Sequence, residues 1–429
     1  MALQTGACNQ QVSRHQGRRG PRASGEAPPA DAPLGIYAKT DSAPLGKSTK
    51  FVEAVDRETG EITSFSVEGE TPKVVVTPQS ARVERFALKS VVNRLLPKSR
   101  TSKCMRWRVP KQQTQVCKSI EHGKAFYTGL QVCASVWCCP VCAAKISERR
   151  RVELVSAVAI AKAKGWQVFL MTGTVPHGLG DDINAMLDQM LAAWRRTSTS
   201  RAGQSFRKLF QVEGMVRVLE VTDGQNGFHP HFHVLLFLSS DTTAKTVQNA
   251  FLPLWQDACV KEGLPRPSDA HGLQVDDGSK AAAYASKWGL ESEMTKGHTK
   301  KSRDGNSPWD LLRHVLLNDD QAQRSGKRFR VYAEAFQGRR QLYWSNGLRA
   351  KLALNADQSD EELAHQEEDK AVVLAAITED QWRAVLATGS EAALLNVAEV
   401  SPEEVGAFLG GCVLLASRQQ KTNLLTEHL

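Results

Sequence analysis

The chain has 429 residues, 41% of them hydrophobic and 24% charged, with a formal charge of +9 and a pI of about 9.1. That length suits two or three domains with a sizeable core, and the positive balance favours an anionic partner, nucleic acid first. No apolar run reaches membrane-spanning length and the N-terminus lacks the apolar core of a signal peptide, so neither a membrane partner nor a secretory route is expected. Nine cysteines, an odd count with four crowded into Cys133–Cys142, argue for a reducing cytoplasm and metal ligation over a disulfide framework.

Composition divides the chain into four parts. Residues 1–81 are basic and rich in Pro, Gly and Ala without a hydrophobic period, which reads as a disordered tail with short extended pieces at 51–67 and 73–76. Residues 82–164 open with a basic amphipathic helix, Arg82–Lys98, ended by Pro97. They continue through six cysteines: Cys104, Cys117, Cys133, Cys138, Cys139 and Cys142. Cys139-Pro-Val-Cys142 is a knuckle whose tight turn points two thiolates at one ion. Cys117 and Cys133 are the first choice to complete a tetrahedral structural Zn²⁺ site, with Cys104, Cys138 and His122 as alternates. A helix from about Ala143 to Lys164 follows, and its Arg149, Arg150 and Arg151 are candidate phosphate contacts.

Residues 165–355 carry a β-α-β-β-α-β-α order: a strand at Trp166–Thr174, a helix at Asp182–Arg196, a basic loop, a hairpin, a helix at Asp241–Glu262, a strand at Gly272–Val275 and a helix from Ser279. The order fits an α+β sandwich, one antiparallel sheet packed on helices, of the ferredoxin or RRM class. The hairpin, Val216–Leu238, organises this part. Its second strand holds His229, His231 and His233 at alternate positions, so all three face one way, about 6.6 Å apart in succession. Phe228, Phe232, Val234 and Leu236 face the other way. Two imidazoles so placed can grip one divalent ion, and a carboxylate beside them hardens the site toward Mg²⁺ or Mn²⁺. Glu220 is that carboxylate if the turn is the four residues Gly224–Gly227, which sets it opposite His231. A five-residue turn would put it on the other face.

On the helix from Ser279, Tyr284, Lys287 and Glu291 share a face, and surrounding alanines leave the Tyr284 hydroxyl approachable. A tyrosine nucleophile and a lysine beside a histidine-held metal are the parts phosphodiester transfer needs. Beyond Asp357 the charge turns acidic, and residues 356–429 read as a helical tail with helices at Glu379–Ala387 and Pro402–Leu415, suited to partner contacts or self-association.

These residues carry a family resemblance. Phe169-Leu170-Met171-Thr172, His231-Phe232-His233 preceded by Leu219-Glu220-Val221-Thr222, Tyr284–Lys287, and the cysteine run from Cys133 to Lys145 together resemble the rolling-circle plasmid replication initiators of the HUH endonuclease superfamily. The resemblance covers roughly Cys104–Leu348. It implies a bacterial cytoplasmic protein that binds plasmid origin DNA, single-stranded or in a hairpin. Tyr284 would nick one strand there, leaving a 5′-phosphotyrosine and a free 3′-OH primer, with strand rejoining later. Host helicase and polymerase are candidate partners and a homodimer is a candidate assembly, though the sequence does not fix the oligomeric state. His231, His233 and Glu220 would hold the metal. Some single-tyrosine members place a glutamate four residues before the tyrosine for the terminating step; here Lys280 stands there, and Asp276, Asp277 and Glu291 are the candidate substitutes, a different terminating step being the alternative. An HUH transposase and a non-enzymatic zinc-containing DNA-binding regulator are the competing readings. The first shares the histidine and tyrosine motifs; the second leaves them unexplained.

Overall fold

A computed structural model describes residues 36–38, 51–55, 62–66, 73–74, 78–287, 305–365 and 370–426. The chain separates into two units, 1–72 and 73–429. In the first, strands β1 (Ile36–Ala38), β2 (Phe51–Val55) and β3 (Ile62–Ser66) pair antiparallel in sequence. The compositional reading left most of this stretch without structure.

The second unit is α+β. After β4 (Lys73–Val74) come helix α1 (Pro78–Leu95), the single turn α2 (Arg100–Lys103), strands β5 (Thr114–Ser119) and β6 (Ala125–Thr128), and the long helix α3 (Pro140–Ala163). The hairpin region follows as β7 (Gln167–Gly173), α4 (Ile183–Thr199), α5 (Arg201–Leu209), β8 (Val212–Gly224), β9 (Gly227–Leu238), α6 (Ala244–Lys261), β10 (Leu273–Asp276) and α7 (Gly278–Lys287). The expected basic loop between α4 and β8 is thus a helix. Ser200 caps it by accepting from the Gly203 N–H, and Phe206 and Phe210 turn inward, so its basic residues occupy only the outer face. Further on lie helices at Pro308–Leu317 and Ala322–Phe336 and strand β11 (Leu342–Trp344).

The main sheet has the order β10-β7-β9-β8-β11, antiparallel throughout. β9 is central, as its apolar inner end requires: Leu235 and Phe237 pack under α3 and α7 with Leu154, Ala157, Ala281 and Ala285, while Phe232, Val234 and Leu236 pack on the opposite face with Trp194, Phe251 and Trp255 of α4 and α6. β7 stops pairing at Phe232, so Pro230 lies beyond its reach and its missing N–H breaks no ladder bond on that side. The hairpin closes with Gly224 opposite Gly227, the latter at φ +94°, a left-handed backbone that glycine adopts without a Cβ clash. Arg328 locks the hairpin tip from outside: it is ion-paired with Asp223 and lies 3.6 Å above the Phe228 ring.

A second sheet, β12-β5-β6, joins sequence-distant segments. Strand β12 (Ala371–Ile377) comes from the acidic tail and pairs antiparallel with β5. Helices Glu379–Ala387, Glu391–Val400 and Val405–Thr426 complete a core in which Trp382, Val385, Leu394 and Leu409 pack on Val116 and Tyr127. The tail is therefore not all helical and is folded against the cysteine-bearing segment. The run AVVLAAI is β-branched enough to pair with the neighbouring edge of β5.

Candidate metal and nucleophile site

The register settles the question left by the turn. Asp223 stands opposite Phe228 and Glu220 opposite His231, so the carboxylate shares the histidine face. Glu220 Oε2 lies 3.7 Å from His231 Nε2 and 3.5 Å from His233 Nε2, and the three donor atoms fall within 4.8 Å of one another. Each imidazole is oriented through its other nitrogen. His231 Nδ1 reaches its own strand's His229 carbonyl at 3.1 Å, which only an N–H can satisfy, leaving the Nε2 lone pair for a ligand. His233 Nδ1 meets the Thr172 hydroxyl at 3.0 Å, because Thr172 is its register partner on β7. That positioning role explains why a hydroxyl residue ends the FLMT strand, and the strand pattern alone could not assign it.

Burial lowers His233 further than neighbouring Glu220 raises it, so its ring is neutral near pH 7, the form that ligates. Burial alone would raise the Glu220 carboxyl, but His233 and His231 beside it and the Tyr284 hydroxyl bring it down to about 2. A carboxylate oxygen 3.5 and 3.7 Å from two imidazole nitrogens, with all three donors within 4.8 Å, suits a single ion bound at roughly 2.1 Å, so the donor set fits a divalent metal.

Tyr284 reaches this group from α7. Its hydroxyl donates to Glu220 Oε1 at 2.7 Å, and its ring lies 4.9 Å from the His233 ring. The small side chains of Ala281 and Ala285, both buried, let α7 sit close enough on the sheet for the phenol to arrive. Lys287, the last residue of α7, is exposed. Asp277 is also exposed and caps α7, accepting from the Ser279 and Lys280 N–H groups through one oxygen. Glu291 lies outside the described residues, as does the basic stretch at 296–303. A residue the sequence reading left out, His177, approaches His229 with their Nδ1 atoms 3.2 Å apart, and burial with neighbouring His231 and His177 lowers His229 to about 4.

The cysteine cluster needs one correction. Its members are Cys104, Cys133, Cys139 and Cys142, all buried, with Sγ separations of 3.5 Å (Cys104–Cys142), 3.7 Å (Cys104–Cys139) and 3.8 Å (Cys133–Cys142). A tetrahedral ZnS₄ centre with Zn–S near 2.3 Å has sulfurs about 3.8 Å apart, so this set also fits its ion. Cys117 is not a member. It sits within the β5 ladder, opposite Phe126 and Val373, with its sulfur 4.0 Å from Thr128 Oγ1. Cys104, one of the alternates, takes its place at the C-cap of α2, while Cys139 is the N-cap of α3 with Pro140 after it. Hydrogen bonds from the other three thiols hold Cys133 well below the usual thiol range; burial first and then its three thiol neighbours push Cys139 up, and the Cys104 and Cys133 thiols push Cys142 up.

Arg149, Arg150 and Arg151 each have a partner within the fold. Arg150 is buried and ion-paired with Asp360, Arg149 donates to the Leu363 carbonyl, and Arg151 pairs with Glu148 one turn away. The acidic helix Asp360–His365 supplies two of these partners, one of them charged: Asp360 is the counter-charge of Arg150, while Leu363 offers Arg149 a backbone carbonyl.

Comparison with known proteins finds a family and two relatives. The family model described as replication protein matches residues 127–387. A protein named "Protein rep" from Streptomyces lividans is 26% identical over 337 residues, covering 61% of this chain and 74% of that protein. A "Neomycin resistance protein" from Streptomyces cyanogenus is 28% identical over 215 residues, 40% of this chain and 49% of that protein. No solved structure matches. The chain belongs to the replication-protein family, that of the Rep initiators of plasmid replication. No described helix is long and apolar enough to cross a membrane.

Proposed function

We propose that this protein is a rolling-circle initiator of the HUH type. It would bind single-stranded or hairpin DNA at a plasmid origin and nick it with Tyr284. The observation that carries the reading is the convergence of a tyrosine hydroxyl from α7 on a Glu-His-His donor set from the β8–β9 hairpin, 2.7 Å from the carboxylate. His231, His233 and Glu220 would hold Mg²⁺ or Mn²⁺, which when bound supplies Lewis-acid polarisation of the scissile phosphate.

The remaining chemistry belongs to the chain. The Tyr284 Oη attacks phosphorus, its proton leaves to solvent or to Glu220, and the bond from phosphorus to the 3′ oxygen breaks. The 3′ oxygen takes up a proton and becomes the primer hydroxyl, while the 5′ phosphate stays on the tyrosine. Glu220 and His233 fix the phenol against the sheet, so the nucleophile is oriented before DNA arrives. Lys287, on the same helix, is proposed to meet the phosphate backbone, and Asp277 or Glu291 to assist the terminating transfer. The Cys104-Cys133-Cys139-Cys142 cluster would carry a structural Zn²⁺. Host helicase and polymerase would act on the freed strand.

The test is a cleavage assay on single-stranded and hairpin oligonucleotides drawn from the native plasmid. The reading expects Mn²⁺-dependent scission that leaves a 3′ end extendable by a polymerase and a 5′ end resistant to kinase labelling. Scission unaffected by EDTA, or one leaving a 5′ end open to labelling, would overturn it. A folded protein that binds the origin and cuts none of it would support the regulator reading.

A further inference from the structure

On the face of the main sheet away from the histidines, a cavity of about 730 Å³ opens between α4, α5 and the β8–β11 edge. Three arginines line it: Arg195 of α4, Arg207 of α5 and Arg217 of β8. Arg217 points from an otherwise apolar sheet face, opposite Val234 and 5.0 Å above the Phe232 ring. It is 6% exposed, and its Nε is buried without a hydrogen-bond partner. Among the described residues no carboxylate pairs with any of the three guanidinium groups. The one acid on the cavity wall, Asp188, is ion-paired with Arg339 at 2.7 Å.

A buried guanidinium without a partner costs several kcal/mol of desolvation and adds nothing to the packing that an apolar side chain would not. The Phe232 and Tyr343 rings, 5.0 and 5.9 Å from the Arg217 Cζ, offset part of that cost, and an anion reaching the group would offset more. The rest of the lining fits an organic phosphate better than a bare ion. Tyr343 offers a half-buried aromatic face, Ser198 and Asn346 offer polar groups, and the volume lies within the roughly 300–1,000 Å³ of small-molecule sites. The proposed nick site lies on the other side of β8 and β9, so the cavity has no part in holding the metal or the tyrosine.

We propose that this cavity is a nucleotide-phosphate site, in which Arg217, Arg195 and Arg207 clasp the phosphate of a free nucleotide or of a DNA strand and Tyr343 stacks on the base. It goes beyond the nicking reading and does not depend on it.

The test uses the full chain in EDTA, so that the metal site takes no part, with dAMP and an oligothymidylate eight residues long as probes in calorimetric titration. The expected result is saturable binding of at least one probe. That binding should be weakened about tenfold or more by Arg217→Met and by the double change Arg195→Gln with Arg207→Gln, since each removes charge-assisted hydrogen bonds. Loss of dAMP binding identifies a free nucleotide as the source; loss confined to the oligonucleotide identifies a strand. Because Arg217→Met replaces an unpaired buried charge by an apolar group, its melting temperature should equal or exceed that of the parent. Should Arg217→Met fail to fold, the double variant at two exposed positions carries the test alone. Absence of binding by both probes, or variants that bind as the parent does, would overturn the proposal.

Discussion

At the scale of single residues, Glu220 does the most. It accepts from the Tyr284 hydroxyl and faces both imidazoles, and these contacts hold its carboxyl at about 2, against an unfolded value near 4.3. A folded value below the unfolded one means that its stabilising contribution is complete above about pH 4.3 and is lost as the pH falls toward about 2. Glu220→Gln should therefore flatten the metal-free protein's loss of stability across that acid window, read as melting temperature against pH. An acid limb unchanged by the substitution would place the titrating group elsewhere.

Arg150 is the second instructive residue. Its sequence neighbourhood suggested phosphate contact, but it is buried against Asp360. Arg150→Ala should leave affinity for single-stranded DNA within about twofold, while destabilising the fold by about 3–5 kcal/mol through the uncompensated Asp360. A large loss of DNA affinity with unchanged stability would restore the phosphate role.

At the scale of elements, the β8–β9 hairpin was legible in the sequence because its period of two and its glycine-flanked turn leave few registers. The competing register would have put Glu220 on the far side of the sheet. α7 was legible for a similar reason, a tyrosine set among alanines. The cysteine cluster was legible only in part. Cys133, Cys139 and Cys142 lie close in sequence, but the fourth sulfur comes from the end of a four-residue helix 29 residues earlier, and spacing cannot rank Cys104 above Cys117 when only one of them points at the knuckle. The account expects Cys104→Ser to reduce the zinc bound per chain and to lower thermal stability, and Cys117→Ser to leave the zinc content at that of the parent, measured by elemental analysis of the purified protein. The reverse pattern would reinstate Cys117.

At the scale of the whole molecule, the acidic tail returns to the cysteine-bearing segment. β12 extends the β5–β6 sheet, Trp382 donates to the Arg106 carbonyl at 2.8 Å and meets Tyr127 edge-on at 5.1 Å, and Arg82 pairs with Glu399. Composition concealed this, because an acidic run reads as solvated surface until its counter-charges are located in space. Trp382→Ala should cost about 3–5 kcal/mol through the cavity it leaves. It should also increase protease cleavage within 114–128, the segment Trp382 covers. A destabilisation confined to residues beyond 370 would mean that the tail is an independent module.

The central claim concerns Tyr284 as a metal-assisted nucleophile, and covalent capture tests it most directly. The protein and its Tyr284→Phe variant, whose fold should lose only about 1 kcal/mol with the hydrogen bond to Glu220, would be incubated with Mn²⁺ and labelled origin DNA, denatured, and mapped by mass spectrometry. The predicted result is a phosphodiester adduct on the peptide holding Tyr284, absent with EDTA and absent in the variant. An adduct that survives in Tyr284→Phe, or one mapped to another residue, would contradict the account.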